Sequence, residues 1–347
     1  MREFLRSEKL VILALLENGN RTDVEVAELC GMKKGTVASI RRRLVETNAV
    51  SFKVVPHLAK IGCEMIGFHR GATNPGLAPH LSSYMDFTAS SPQIFFGAFG
   101  ANNVVLYTAL RDISDYETFK QGHVKFFSGE RHNSKAKLSD VIFPCSLTRA
   151  NWTPQHTHMV YNFFDLDIDP PKIRYPEAAE VETPDFSSSE REVMISVVEN
   201  PTFSDRAIAS IAKISRQAVT KIRNRLFDDG VLSMACLPHF HNWGFEIYFV
   251  AHPKFKMWLS WDARIKEEPV EVTSLSFFSL SKADEAIGNY VAPYFKFYTD
   301  RSAELADWFH SRGLFDENME TLLFPLERSE YLRNFTYGPA IRSLLPE

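Results

Sequence analysis

The feature that most constrains this chain is an internal repeat. Residues 7–64 lie on residues 189–246 with a constant displacement of 182 and no gap. Ser7-Glu8 falls on Ser189-Glu190, Glu17-Asn18 on Glu199-Asn200, and Asp23 on Asp205. Ile40-Arg41 falls on Ile222-Arg223, Arg43-Leu44 on Arg225-Leu226, and Pro56-His57 on Pro238-His239. Chance does not hold register over such a stretch, so the chain is two copies of one module. Its 347 residues leave each copy enough length to bury a core.

Each copy opens with three short helical patterns. In the first, residues 7–18 carry a Ser-Glu start ahead of an apolar run, and Thr22 or Asp23 caps a second helix that stops at Gly31. The third, KKGTVASIRRRL from Lys33 to Leu44, repeats apolar Val37, Ile40 and Leu44 at three- and four-residue spacing, so they form one buried stripe. Its other faces hold Lys33, Lys34, Thr36, Ser39, Arg41, Arg42 and Arg43. The second copy places helices over 189–200, 204–212 and 215–229, with Gly230 where left-handed backbone is needed. Its matching surface holds Ser215, Arg216, Gln217, Thr220, Lys221, Arg223 and Arg225. Three helices with a tight turn before the third describe a helix-turn-helix. Small polar and basic residues early on the third helix suit base edges, and later arginines suit phosphates. The β-branched segments after each third helix read as a wing or connecting strand.

The remainder of each module reads as β-α-β-β-α-β, the split ferredoxin-like order. In the first copy the elements are strand 63–70, helix 77–88, strands 94–99 and 104–110, helix 114–127 and strand 141–148. Gly100-Ala101-Asn102-Asn103 supplies hairpin-turn chemistry between the middle strands. In the second copy they fall over 246–251, 258–265, 274–279, 290–297, 303–312 and 321–326. The fold class is therefore α+β, with two winged helix-turn-helix domains and two ferredoxin-like domains in an internal repeat. Expected boundaries are 1–55, 56–150, 189–237 and 238–347. An extended linker over 151–188 separates the copies, because residues 165–190 hold eight acidic against two basic residues plus Pro and Ser.

This arrangement, with GAFGANNVVLYTALRDISDYETF at 97–119 and ELCGMKKGTVASIRRRL at 28–44, resembles the Lrp/AsnC transcription regulators. The positions carrying the likeness are Gly100, Asn102 or Asn103, Asp112, Tyr116 and Phe119. The resemblance implies an N-terminal helix-turn-helix joined to a RAM-like sensing domain, with double-stranded DNA as partner. It implies a small-molecule effector at Gly97, Gly100, Asn102 and Asn103, and pairing of sensing domains, here within one chain and also between chains as a homodimer. Two departures stand out. The chain carries two modules where ordinary members carry one, and SLSKADEAIGNYVAPYFKF replaces the Gly-rich hairpin in the second copy. Unequal third helices would favour an asymmetric operator, with Arg216 and Gln217 suited to guanine and adenine edges.

Composition narrows the classes further. The net charge of −4 excludes a polycation that coats nucleic acid, so DNA contact must come from local patches. Four cysteines without a CxxC pair point away from a disulfide framework or thiolate zinc site, and fit a reducing compartment. No apolar run approaches a membrane span, and a cytoplasmic location is expected. His156-Thr157-His158 and His239-Phe240-His241 have metal-compatible spacing on a strand but no Cys or carboxylate partner nearby, so no metal and no cofactor are expected. No P-loop, dinucleotide glycine pattern, HExxH or GxSxG is present. The expectation is a regulator rather than an enzyme. The alternatives are an enzyme on the same module, since some proteins resembling this family are siroheme decarboxylases, and a protein-interaction scaffold. Those decarboxylases carry a Tyr-Asn pair on the sensing strands, whereas Tyr161-Asn162 lies elsewhere in this chain.

Overall fold

The computed structural model describes residues 2–72, 78–129, 138–169, 171, 177–178, 184–256, 275–314 and 319–345. The repeat seen in the sequence runs through nearly every element. Helices α1 (Arg6–Glu17), α2 (Asp23–Cys30) and α3 (Lys34–Glu46) are followed by strand β1 (Val50–Pro56). Next come β2 (Met65–Ala72), α4 (Ala78–Ser90), β3 (Ile94–Phe99), β4 (Asn103–Leu110), α5 (Ile113–Gly129) and β5 (Leu138–Pro144). A tail of β6 (Arg149–Ala150), α6 (Thr157–Phe164) and β7 (Glu177–Ala178) ends the first copy. The second copy gives α7 (Ser188–Glu199), α8 (Asp205–Ala212), α9 (Arg216–Asp228), β8 (Leu232–Pro238) and a short α10 (Phe240–Trp243). It continues with β9 (Ile247–His252), β10 (Phe278–Ser281), β11 (Ala286–Ala292), α11 (Phe295–Ser311) and β12 (Glu320–Pro325). Its tail is β13 (Glu330–Leu332) and α12 (Gly338–Leu344). The displacement of 182 persists to α5 and α11, beyond where residue identities are readable.

Local chemistry explains the helix ends. The Thr22 hydroxyl accepts from the Glu25 amide, Glu25 accepts from the Thr22 amide at 2.6 Å, and α2 stops at Gly31 with φ 62°. The Ser204 hydroxyl caps α8 by accepting from the Ala207 amide, without the reciprocal bond, and that helix ends on left-handed Lys213 instead of glycine. Left-handed backbone after the third helix falls on Asn48 and Gly230, residues that tolerate it.

The chain divides into two compact units, each drawing on both copies. Unit 1 joins residues 1–53 to 149–177 and 234–327; unit 2 joins 54–148 to 178–233 and 328–347. In unit 1, α1–α3 accompany the sheet β12-β9-β11-β10-β6-β7. In unit 2, α7–α9 accompany the sheet β13-β3-β4-β2-β5. Both sheets keep the ferredoxin-like order, with fourth, first, third and second strands as neighbours. The segments after the third helices do not form wings of their own: β1 pairs with β8. Within unit 1 the His239 amide donates to Ala49, and within unit 2 the His57 amide donates to Val231.

Several expectations need correction. Residues 157–164, read as linker, form α6, where Phe164 stacks on Trp243 with centroids 5.7 Å apart and its carbonyl accepts from Lys9 at 3.0 Å. The strand expected over 290–297 ends at Ala292, because Pro293 has no amide to continue the ladder. The second-copy hairpin keeps its turn despite its changed sequence. The Lys282 amide donates to Glu285 at 3.0 Å, as the Gly100 amide donates to Asn103 at 2.8 Å. The helix expected over 258–265 lies outside the described residues.

Candidate functional site

The buried stripe of α3 is Val37, Ile40 and Leu44, which turns the opposite face outward. Lys33, Lys34, Gly35, Thr36, Ser39 and Arg42 are exposed there. On α9, Val219 and Leu226 are buried, while Ser215, Arg216, Gln217 and Lys221 are exposed. Ser215 is occupied as the N-cap, accepting from the Ala218 amide at 3.2 Å. The Thr220 hydroxyl donates to Asp205 at 2.6 Å, so it faces α8.

The recurring arginines all enter ion pairs. Arg41 pairs with Asp23 at 2.8 Å and donates to the Arg21 carbonyl at 2.7 Å; Arg223 pairs with Asp205 at 3.1 Å. Arg43 pairs with Glu8 at 3.0 Å, and Arg225 with Glu190 at 2.6 Å. The carboxylates recur in the same register as the arginines. Their recurrence is therefore explained by ion pairs that tie the third helix to the first and second, without appeal to phosphate. Arg42 lies 3.9 Å from Glu46. Lys33, Lys34, Arg216 and Lys221 enter no ion pair among the described residues.

Of the residues expected to bind an effector, Gly97 lies within β3, opposite Leu332 of β13. A Cβ there would meet Leu106 at 3.0 Å and Leu332 at 3.2 Å, so close strand packing accounts for this glycine. Gly100, Asn102 and Asn103 form the hairpin end, with Gly100 buried and Asn102 exposed.

The polar cluster that sequence reasoning missed lies in unit 2, between the sheet and α5. His69 on β2 stands opposite Asp140 on β5, and its Nδ1 is 2.9 Å from the Asp140 Oδ1. His69 Nε2 is 2.9 Å from the Thr108 hydroxyl on β4. The other Asp140 oxygen accepts from the Tyr116 hydroxyl at 3.0 Å, and Tyr116 accepts from Lys120 at 3.1 Å. A continuous hydrogen-bonded chain thus runs from half-exposed Lys120 to fully buried Thr108. Burial alone would raise the Asp140 carboxyl, but His69, Tyr116 and Lys120 hold it below the ordinary range. Gly67 makes the His69–Thr108 bond possible, since a Cβ there would come within 2.5 Å of the His69 Nε2. The second copy has Ala251, Tyr290 and Leu322 where the first has His69, Thr108 and Asp140. The identities of the repeat stop before these positions, so nothing in the sequence alone pointed to the cluster.

Neither His pair lies on a strand. His156 begins α6 and stacks on Phe277, and burial pushes its imidazole down to about 3. His239 precedes α10. Among the described residues no cluster of three or more His, Cys, Asp or Glu could hold a metal, and no helix is long and apolar enough to cross a membrane. All four cysteines are free thiols.

No protein-family model matches the chain. No curated protein matches it either. Among solved structures, the siroheme decarboxylase NirDL covers 97% of this chain and 98% of its own, with TM-score 0.55 and 11% identity. The same enzyme in complex with an iron-uroporphyrin III analogue matches with TM-score 0.54 and 10% identity. An AsnC family transcriptional regulator from Agrobacterium tumefaciens matches 40% of this chain and 89% of its own, with TM-score 0.33 and 13% identity. The chain therefore shares the fold of the decarboxylase along almost its whole length. The expectation that the chain is not an enzyme is corrected by that match, since the structure matched over almost the whole chain is an enzyme. At this identity the likeness concerns fold alone.

Proposed function

We propose that the protein binds double-stranded DNA sequence-specifically and regulates transcription, reading base edges with the N-terminal halves of α3 and α9. The observation carrying this reading is that Lys33 and Lys34 in one copy, and Arg216 and Lys221 in the other, are exposed and outside any described ion pair. These positions are where a third helix meets the major groove. The two copies differ there, which supports an operator with unequal halves and, with the sensing-type domains, control by a small effector. Selection from random duplex DNA at two salt concentrations tests the reading. An enriched bipartite motif with steep salt dependence supports it, and binding only at low salt without enrichment refutes it.

A second reading is an enzyme related in chemistry to siroheme decarboxylase, and the Lys120-to-Thr108 chain is the observation that favours it. Decarboxylation exchanges a carboxylate for a proton and releases carbon dioxide. Lys120 offers a cation for a carboxylate, and the Tyr116–Asp140–His69 chain offers a route for the proton. Incubating the protein with siroheme and following the tetrapyrrole by mass spectrometry tests it. Loss of carbon dioxide, abolished by Lys120→Ala, supports this reading; unchanged substrate refutes it.

A further inference from the structure

Two of the free thiols meet in unit 2. Cys63 and Cys145 are 82 positions apart in the sequence, and both are buried, at 3% and 4% exposure. The pairing of β2 with β5 brings them together. Met65 stands opposite Pro144, and the ladder runs one step further, where the Cys145 amide donates to the Glu64 carbonyl at 2.8 Å. Cys145 is thus one residue out of register with Cys63. Positions offset by one across an antiparallel pair lie about 6 Å apart at Cα, a separation that a disulfide spans.

The side chains meet as well as the backbones. The Cys63 thiol donates to the Met65 carbonyl at 3.2 Å, and its sulfur takes the hydrogen bond from the Cys145 thiol. That bond, together with burial, pushes the Cys145 thiol up, so it stays protonated at neutral pH. The second copy has Phe245 and Glu327 at the equivalent positions, so the shared fold does not require two cysteines here. The other two, Cys30 and Cys236, belong to unit 1.

We propose that Cys63 and Cys145 are an oxidation site for small peroxides, closing to a disulfide that locks the first strand of this ferredoxin-like domain to its last. One sulfur attacks a peroxide oxygen, breaks the O–O bond and becomes a sulfenic acid, and the departing hydroxide leaves as water with that thiol's proton. The second sulfur then attacks the first, forms the S–S bond and expels hydroxide, which takes the second thiol proton. Two electrons pass from the sulfurs to the peroxide, and two waters leave. Burial slows the first step and restricts it to small oxidants. Contact between the thiols favours closure of the sulfenic acid over attack by a second peroxide.

Treating the folded full-length protein with hydrogen peroxide, then alkylating with N-ethylmaleimide in denaturant and mapping the peptides, tests the proposal. Two of the four thiols should resist alkylation, in a Cys63–Cys145 cross-link that dithiothreitol reverses. The oxidised protein should unfold in urea with an equilibrium constant roughly 30- to 1000-fold smaller than the reduced protein, the ordinary range for a native cross-link. In Cys145→Ala, peroxide should leave the urea midpoint unchanged and Cys63 as a sulfenic acid that dimedone traps. Four thiols still open to alkylation would mark the two as inert packing and overturn the proposal. Sulfinic acid at either position without a cross-link would overturn it, as would a Cys63–Cys145 link that leaves the midpoint where it was.

Discussion

Gly67→Ala is the sharpest test of the polar cluster, because one added carbon reaches its centre. The new Cβ would lie 2.4 Å from the Thr108 hydroxyl, 2.5 Å from His69 Nε2 and 2.9 Å from His69 Cε1. Real Cβ atoms do not approach that closely, so the His69–Thr108 bond must open. Both residues are buried, at 1% and 0% exposure, and the His69 Nε2 and the Thr108 hydroxyl would each lose this partner. Each buried group so stranded costs about 1–3 kcal/mol, or about 2–6 for the pair. Replacing a strand glycine by alanine returns about 0.5–1 kcal/mol. The net loss should be about 1–5 kcal/mol, read from the urea midpoint by circular dichroism at unchanged slope. Adding Thr108→Ala opens room and removes one stranded group, so the double variant should be more stable than the sum of the singles predicts. A Gly67→Ala protein within about 0.5 kcal/mol of the parent would refute the reasoning, as would strict additivity.

Other outcomes follow from the ion pairs. Arg41→Ala should destabilise the first helix-turn-helix by about 1–3 kcal/mol while leaving the salt dependence of DNA binding unchanged. Lys34→Ala should do the reverse, lowering the slope of log affinity against log salt by about 1 with folding intact; equal salt slopes for both variants would remove the distinction. The acid limb of stability should depend on Glu285. Burial alone would raise its carboxyl, but hydrogen bonds from His252 and Lys282 hold it at about 2, below its ordinary 4.5. Its stabilisation is therefore present above about pH 4.5 and lost as pH falls toward about 2. Glu285→Gln should flatten the stability profile in that window, measured by urea titration at several pH values.

How much was legible in the sequence varied with the range of the interactions involved. The helix-turn-helix cores were readable because Val37, Ile40 and Leu44 lie on one short helix, where spacing alone sets the buried face. The ferredoxin-like order followed from alternating strand and helix patterns, and the Gly100 turn from hairpin chemistry. The tail helix α6 escaped notice because an eight-residue helix beside Pro- and Asp-rich sequence has little periodicity of its own. His69, Thr108 and Asp140 escaped for another reason. They sit on three strands far apart in sequence, and only the pairing of β2 with β4 and β5 brings them together.

The sequence by itself determined the duplicated module and its local elements, because identities at a constant displacement and residue periodicity depend only on near neighbours. Tertiary structure alone decided which copy supplies which part of each compact unit. It also decided which carboxylate each recurring arginine meets. Arg41 with Asp23 and Arg43 with Glu8 are matched pairs only once three helices have folded against one another. Charge in the sequence states what a side chain can bind, and the distance to its partner, fixed only by packing, states what it does bind.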